Sequence, residues 1–248
     1  MSQYSSLKNK LINDDYLKAI NGIEDESIDL ILTDIPYNIS RGSGFVGYDK
    51  KNKRNRTGLD FGEWDKEFDV NGLSALVPKL KKDGSMLMFS AFEQITDLVN
   101  VFSDMVLKDK IIWQKTNPMV RNRDRRYISN IEICTWFVRS KKSKWTFNRQ
   151  DEKYESCVLR YPSESGGGFK RYHPTQKNLE MMKYLMRIHS NKGDLILDPF
   201  LGGGTTAVAC VEQNRNYIGI ERDEKHFKTA KERINKLENP TKQWEQWI

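Results

Sequence analysis

Two short stretches hold residue types able to act together on a ligand. DPFLGGGTT (198–206) lies between an apolar run and a stretch of helix formers. Glycines there let the backbone approach a ligand closely, and a helix starting just after them offers free N–H groups. No Lys follows the glycines, so the stretch is not a P-loop, and Thr205 stands where a GxGxxG turn has its third glycine. Glu221 follows Gly202 by nineteen residues, at the end of NYIGI. An acid at about that spacing, at the tip of the next strand, is placed to bind ribose hydroxyls. The unit reads as a site for a nucleoside-bearing cofactor. DIPYN (34–38) follows SIDLILT directly and presents an acid, a proline-stiffened backbone and an aromatic ring together.

These residues can meet only if the runs before them are neighbouring strands with their carboxyl ends on one edge. SIDLILT (27–33) and GSMLMFS (84–90) read as buried strands, KIIWQK (110–115) and EICTWFVRS (132–140) as a further pair. TQKNLEMMKYLMRIH has apolar residues at 179, 182, 185, 186 and 188, a helical spacing. DLILD (194–198) and NYIGI (216–220) are strands flanking a helix over 204–214, and residues 223–238 form an amphipathic helix with Phe227, Ala230 and Ile234 on one face. The alternation predicts an α/β chain, a Rossmann-like, doubly wound and mostly parallel sheet in a single domain spanning 1–248. Residues 38–69 and 141–172 (the latter with Ser165-Gly166-Gly167-Gly168) interrupt the pattern as irregular insertions at the active edge.

Of 248 residues, 38% are hydrophobic and 30% charged, yet 11% are aromatic, which argues against disorder. The longest apolar run is the five residues Ala207–Val211, and MSQYSSLKNK has no apolar signal core, so a secreted or membrane-spanning protein is excluded and the cytoplasm expected. Cys134, Cys157 and Cys210 are dispersed and far from the three histidines, which predicts reduced thiols and no metal site. The net charge of +7 is unevenly placed: residues 108–149 hold twelve Lys and Arg against three acids, and residues 41–56 six against one. Cations gathered in two segments on an otherwise acidic body suit a nucleic-acid surface, or are two solvated loops.

DIPYN and DPFLGGGTT, joined by HPTQK (173–177), resemble the amino-methyltransferases that act on DNA with S-adenosylmethionine. DIPY precedes the glycine-rich element, as in the β class of that family, a circularly permuted methyltransferase fold. Protein-glutamine and most RNA methyltransferases with a similar tetrapeptide run the other way, which opposes an RNA substrate. The likeness spans nearly the whole chain, including LINDDYLKAI, GSMLMFS and KIIWQKTNPMVRNR. It implies that Asp198, Pro199, Phe200, Gly202, Gly204 and Thr205 form the turn around S-adenosyl-L-methionine. Glu221 would hold its ribose and Asp15 its adenine, while His173, Thr175, Gln176 and Lys177 frame its methionine end. His173 reads equally well as a satisfied loop histidine.

By the same resemblance Asp34, Ile35, Pro36 and Tyr37 would be catalytic. An exocyclic amino nitrogen is a poor nucleophile because its lone pair is delocalised into the ring. Asp34 and the carbonyl of residue 35 would accept its two N–H bonds and turn the lone pair toward the sulfonium methyl. Tyr37 would stack on a base flipped from the duplex. No Cys follows a proline, against a cytosine-C5 nucleophile. The intact acids oppose a noncatalytic DNA-binding protein. Asp at the head of the tetrapeptide favours N6 of adenine, with N4 of cytosine the alternative. Three positions depart from the family: Ile35 for Pro, Gly203 for Ser and Asn178 for Pro.

The family's target-recognition elements fall at 116–172, where Arg121, Arg123, Arg125, Arg126, Lys141 and Lys142 would contact DNA through phosphates or guanine edges. Residues 39–69 would form a mobile DNA-contacting loop, with Trp64 as its anchor. The resemblance points to a bacterial or phage-encoded, cytoplasmic enzyme of a restriction-modification type. A partner endonuclease, and monomer against homodimer, are left open.

Overall fold

Short β-branched and apolar runs build one sheet of eight strands. The computed structural model describes residues 8–38, 68–118, 127–164, 172–173 and 175–239, and the backbone of 47–49 and 54–56. The strands are β1 Lys10–Ile12, β2 Ile28–Asp34, β3 Gly47–Asp49, β4 Arg54–Arg56, β5 Leu80–Ser90, β6 Val106–Lys115, β7 Ile131–Val138, β8 Val158–Tyr161, β9 Leu195–Asp198 and β10 Asn216–Ile220. The α-helices are α1 Tyr16–Ala19, α2 Ile95–Val101, α3 Leu179–His189, α4 Thr205–Gln213 and α5 Glu224–Glu238. The sheet order is β1-β10-β9-β2-β5-β7-β6-β8, and β3 and β4 pair separately as an antiparallel ribbon. From β1 to β5 every pairing is parallel; β7 runs antiparallel to both β5 and β6, and β8 is parallel to β6.

Strand alternation divides the core between the two faces. Leu30, Leu32, Leu87, Phe89 and Ile196 meet α3, α4 and α5 through Met182, Leu185, Ala209 and Ala230. Ile28, Ile31, Met86, Met88 and Leu197 face the other way, onto Ile20, Leu73, Leu76 and Leu98. Both faces are therefore covered, as a parallel sheet requires. β9 leads through α4 to β10 on one side, whereas β2 leads toward β5 on the other. The crevice at their carboxyl ends is the topological switch point, where open α/β sheets bind ligands.

The departures from the family's letters have local reasons here. The Ile35 N–H donates to the Phe89 carbonyl at 3.1 Å, a bond proline cannot make, and its side chain is buried. Asn178 caps α3 by accepting from the Met181 N–H at 2.9 Å. A Cβ on Gly203 would stand 3.1 Å from His173 Cβ and 3.2 Å from Tyr172 Cβ, so the missing side chain lets that segment pack close.

The structure differs from the sequence expectation in its additions. Residues 141–172 are not wholly irregular: Val158–Tyr161 extend the sheet beside β6, with the Ile112 N–H donating to the Cys157 carbonyl at 2.7 Å. Residues 39–69 contain the β3–β4 ribbon. A 3-10 segment, Val70–Lys79, and helix α2 cover one face. Phe227 is only half-buried on α5, whereas Ala230 and Ile234 are fully buried. Trp64, Ser165–Gly168 and Arg121, Arg123, Arg125 and Arg126 lie outside the described residues. No helix among the described residues is long and apolar enough to cross a membrane.

Leu30 is fully buried between β9 and β5. Leu30→Ala should lower the free energy of unfolding by about 2–5 kcal/mol, measured by urea titration.

Candidate active site

Two adjoining cavities open along the crevice. The larger, about 250 Å³, is lined by Asp15, Tyr16, Pro36, Phe68, Phe200 and Glu221 among others. The smaller, about 50 Å³, is bounded by Asp34, Thr175, Gln176, Lys177, Asp198 and Thr205. His173, Phe200 and Gly202 belong to both walls.

The turn after β9 is held by side-chain carboxylates. Asp198 is buried and accepts from Thr33 Oγ1 at 2.6 Å and from the Phe200 N–H at 3.1 Å, which ties β9 to β2. Gly202 and Gly204 have φ of +53° and +84°, the left-handed region that favours glycine. Glu221 accepts from the Gly202 N–H and the Asp223 N–H, each at 2.8 Å, so one carboxylate shapes both the turn and the entry to α5. Burial raises the Glu221 pKa above its ordinary value. Asp15 caps α1 through the Leu17 N–H at 2.9 Å. Three rings gather on the floor of the larger cavity: Tyr16 and Phe200 with centroids 4.8 Å apart, and Phe68 edge-on to Phe200 at 5.2 Å. His173 meets His226 ring to ring at 4.3 Å, and its Nδ1 faces Thr175 Oγ1 at 3.2 Å.

The smaller cavity holds the charges. Lys177 Nζ lies 2.6 Å from Asp34 Oδ2 and 2.8 Å from Glu132 Oε2, with only 5% of its side chain exposed. Lys115 Nζ reaches the other Glu132 oxygen at 2.6 Å. Tyr37 OH donates to Glu132 Oε2 at 3.2 Å. Asp34 Oδ1 is buried without a hydrogen-bond partner among the described residues. Burial, only partly offset by Lys177, pushes the Asp34 carboxyl up to about 6. Burial also works against ionised Glu132, but Lys177 and Lys115 outweigh it and hold that carboxyl down at about 2. The backbone of the tetrapeptide is pinned as well: Gln94 Nε2 donates to the Pro36 carbonyl at 2.8 Å while Gln94 Oε1 accepts from the Ala91 N–H at 3.1 Å.

The chain matches the N6/N4 DNA methylase family over residues 28–232. It belongs to that family. The Type II methyltransferase M.HinfI of Haemophilus influenzae is 32% identical over 260 residues, spanning 94% of this chain and 70% of that protein. The Type II methyltransferase M2.LlaDCHI of Lactococcus lactis subsp. cremoris is 30% identical over 91% of this chain and 89% of its own length. The crystal structure of the M1.HpyAVI–SAM complex superimposes with a TM-score of 0.71 at 32% identity, covering 91% of this chain and 98% of that one. The cytosine-N4-specific PvuII DNA methyltransferase shares the fold, with a TM-score of 0.69 at 18% identity over 94% of this chain and 92% of that one.

Within this member of the family, Asp34, Lys177, Thr175, Gln176, Asp198 and Thr205 meet at one cavity, and Asp15, Pro199, Phe200 and Glu221 at the other. Gln176 is fastened by Glu164, which also accepts from the Leu179 N–H at 2.8 Å. Lys141 and Lys142 are exposed on a turn past the far end of β7. Because β7 is antiparallel to β5, Ile133 pairs with Ser90 at the crevice and Val138 with Ser85, about 17 Å away at ~3.4 Å per residue. That pair of lysines stands away from the cavities. Glu132, Lys115 and Gln94 carry the site without having been singled out from the sequence. Their signal was faint: an acid and a cation at strand ends, and a glutamine opening a helix.

Glu132 neutralises two lysines at once. Glu132→Ala should lower the free energy of unfolding by about 3–5 kcal/mol, read by denaturant titration at pH 7, because it leaves uncompensated buried charge.

Proposed function

We propose that this chain methylates N6 of adenine at a specific sequence in DNA, with S-adenosylmethionine as methyl donor. The observation that carries the reading is the half-buried Asp34 carboxylate, whose Oδ1 is itself buried and unused by the described residues, on a cavity adjoining a nucleoside-sized cleft. A buried acceptor left unpaired costs about 1–3 kcal/mol, which a ligand N–H would recover. Asp at the head of the tetrapeptide favours adenine over cytosine within the family.

S-adenosylmethionine supplies an electrophilic methyl group on a sulfonium sulfur. Tyr16, Phe68 and Phe200 offer apolar ring surface to its adenine, Asp15 an acceptor, and Glu221 acceptor lone pairs to its ribose hydroxyls. Asp34 and the Ile35 carbonyl accept the two N–H bonds of the target amino group and draw its lone pair out of conjugation. The nitrogen then forms its bond to the methyl carbon as the carbon–sulfur bond breaks, the pair staying on sulfur, and the proton lost from the nitrogen passes along its hydrogen bond to the Asp34 carboxylate and on to solvent. Gln94 keeps the tetrapeptide from recoiling, so the acceptors stand ready before the base arrives. Tyr37 presents a ring to that base. The cations of 108–149 suit DNA phosphates.

Digestion of DNA from cells expressing the chain, followed by mass spectrometry of the nucleosides, should yield N6-methyladenine; N4-methylcytosine in its place would overturn the choice of base. Asp34→Ala should abolish turnover while changing S-adenosylmethionine affinity less than about threefold, since its interactions are reserved for the reacting amine. For the wild type, kcat/KM should fall on the acid side with a midpoint near 6, the pH at which Asp34 takes up its proton and loses its charge. Glu221→Ala should weaken cofactor binding on the order of 10- to 100-fold by calorimetry, the worth of a charged hydrogen bond.

A further inference from the structure

We infer that Lys177 and Glu132 are positioning residues, a buried clamp in which Glu132 anchors Lys177 and Lys177 orients the Asp34 carboxylate, and that Lys177 touches neither cofactor nor base. The inference rests on the reading of Asp34 as acceptor of the target amine. It departs from the placement of HPTQK at the methionine end of the cofactor, and the geometry of one ammonium group is the reason.

An ammonium group has three N–H bonds. The three of Lys177 have three protein partners: Asp34 Oδ2 at 2.6 Å, Glu132 Oε2 at 2.8 Å and Tyr37 OH at 3.2 Å. With the side chain 5% exposed, no N–H remains for a ligand carboxylate. Glu132 in turn spends Oε1 on Lys115 and Oε2 on Lys177 and the Tyr37 hydroxyl. The charges alternate in sign across four parts of the chain: β6, β7, the segment before α3, and the end of β2. The clamp fixes Asp34 by its Oδ2 and steadies Tyr37 by its hydroxyl, the two groups that would meet the base.

The groups facing Asp34 are Tyr37 from its own loop, Glu132 and Cys134 from β7, Lys177 before α3, and Asp198 and His173 across the smaller cavity. Lys115 acts through Glu132. Of these, Lys177 favours the charged carboxylate and Glu132 opposes it. The two substitutions must therefore move the acid limb of kcat/KM in opposite directions, a result that loss of packing cannot mimic.

The test is the pH profile of DNA methylation, with cofactor affinity measured by calorimetry on the same full-length variants. Lys177→Met should raise the midpoint of the acid limb by about 1–2 pH units, and Lys177→Arg, which keeps the charge, should return it most of the way. Glu132→Gln, an isosteric change, should lower the midpoint by about one unit. Cofactor affinity should stay within about threefold in all three. A limb that stays put in both Lys177→Met and Glu132→Gln would overturn the clamp, as would a loss of cofactor affinity beyond tenfold in Lys177→Met. Should Lys177→Met fail to fold, the downward shift in Glu132→Gln decides alone. Retained turnover in Asp34→Ala is a separate result, and it would remove the reading of Asp34 on which the clamp stands.

Discussion

Keeping a carboxylate charged at the mouth of an apolar sheet is the constraint around which this molecule is arranged. Ions taken from water cost several kcal/mol each, and the cost is met only by close, hydrogen-bonded partners. Here two carboxylates and two ammonium groups face one another within 2.6–2.8 Å, so the cluster is neutral while Asp34 keeps an oxygen to offer. Asp34, Glu132 and Lys115 come from strands whose order in the sheet, β2-β5-β7-β6, brings their ends to one edge, and Lys177 reaches them from the segment before α3. The antiparallel turn of β7 against β5 matters most. It carries the start of β7, and with it Glu132, to the carboxyl end of the parallel strands.

The same edge serves the ligand side. β9 and β2 part company in the winding of the chain, and their separation leaves a crevice that the Asp198–Thr33 bond closes at its base. Glu221, one strand further out, binds the Gly202 amide and so couples the tip of β10 to the turn after β9. The cleft for a nucleoside and the cavity for an amine are two consequences of one switch point. Rigid strands carry their walls, so the acceptors are placed before any ligand arrives, the condition for electrostatic preorganisation.

The cationic segments stand in a different relation to this edge. Lys115 and Asn130, joined backbone to backbone at 2.7 Å, flank the arginine-rich stretch and sit beside Glu132. The described residues that border the stretch thus lie next to the charged cavity. Lys141 and Lys142 belong to the opposite end, where Ser143 Oγ bonds the Lys82 carbonyl at 2.7 Å and the Lys144 N–H bonds Asp83 at 2.7 Å. Among the described cations of this region, Lys115 therefore lies beside the start of β7, and Lys141 and Lys142 lie beyond its end.

Much was legible in the letters, because it depends on neighbours in the chain. Apolar runs between turn residues marked β2, β5, β9 and β10; helical spacing marked α3 and α5; and the glycines before Thr205 anticipated backbone angles that other residues rarely adopt. The acid after NYIGI and the DIPY tetrapeptide were visible for the same reason, each attached to the end of its own strand. Strand β8 was not, since four residues with no clear alternation acquire their structure from β6 beside them. Glu132 was not, since its meaning comes from Lys177 and Lys115, which no local pattern connects to it. Tyr37 and Glu132 are 95 residues apart and share a hydrogen bond. Local propensity records which segments can be strands and where turns must bend. Which strand lies beside which, and in which direction it runs, is settled only by the burial of two faces of one sheet, and that decided which charges meet at Asp34.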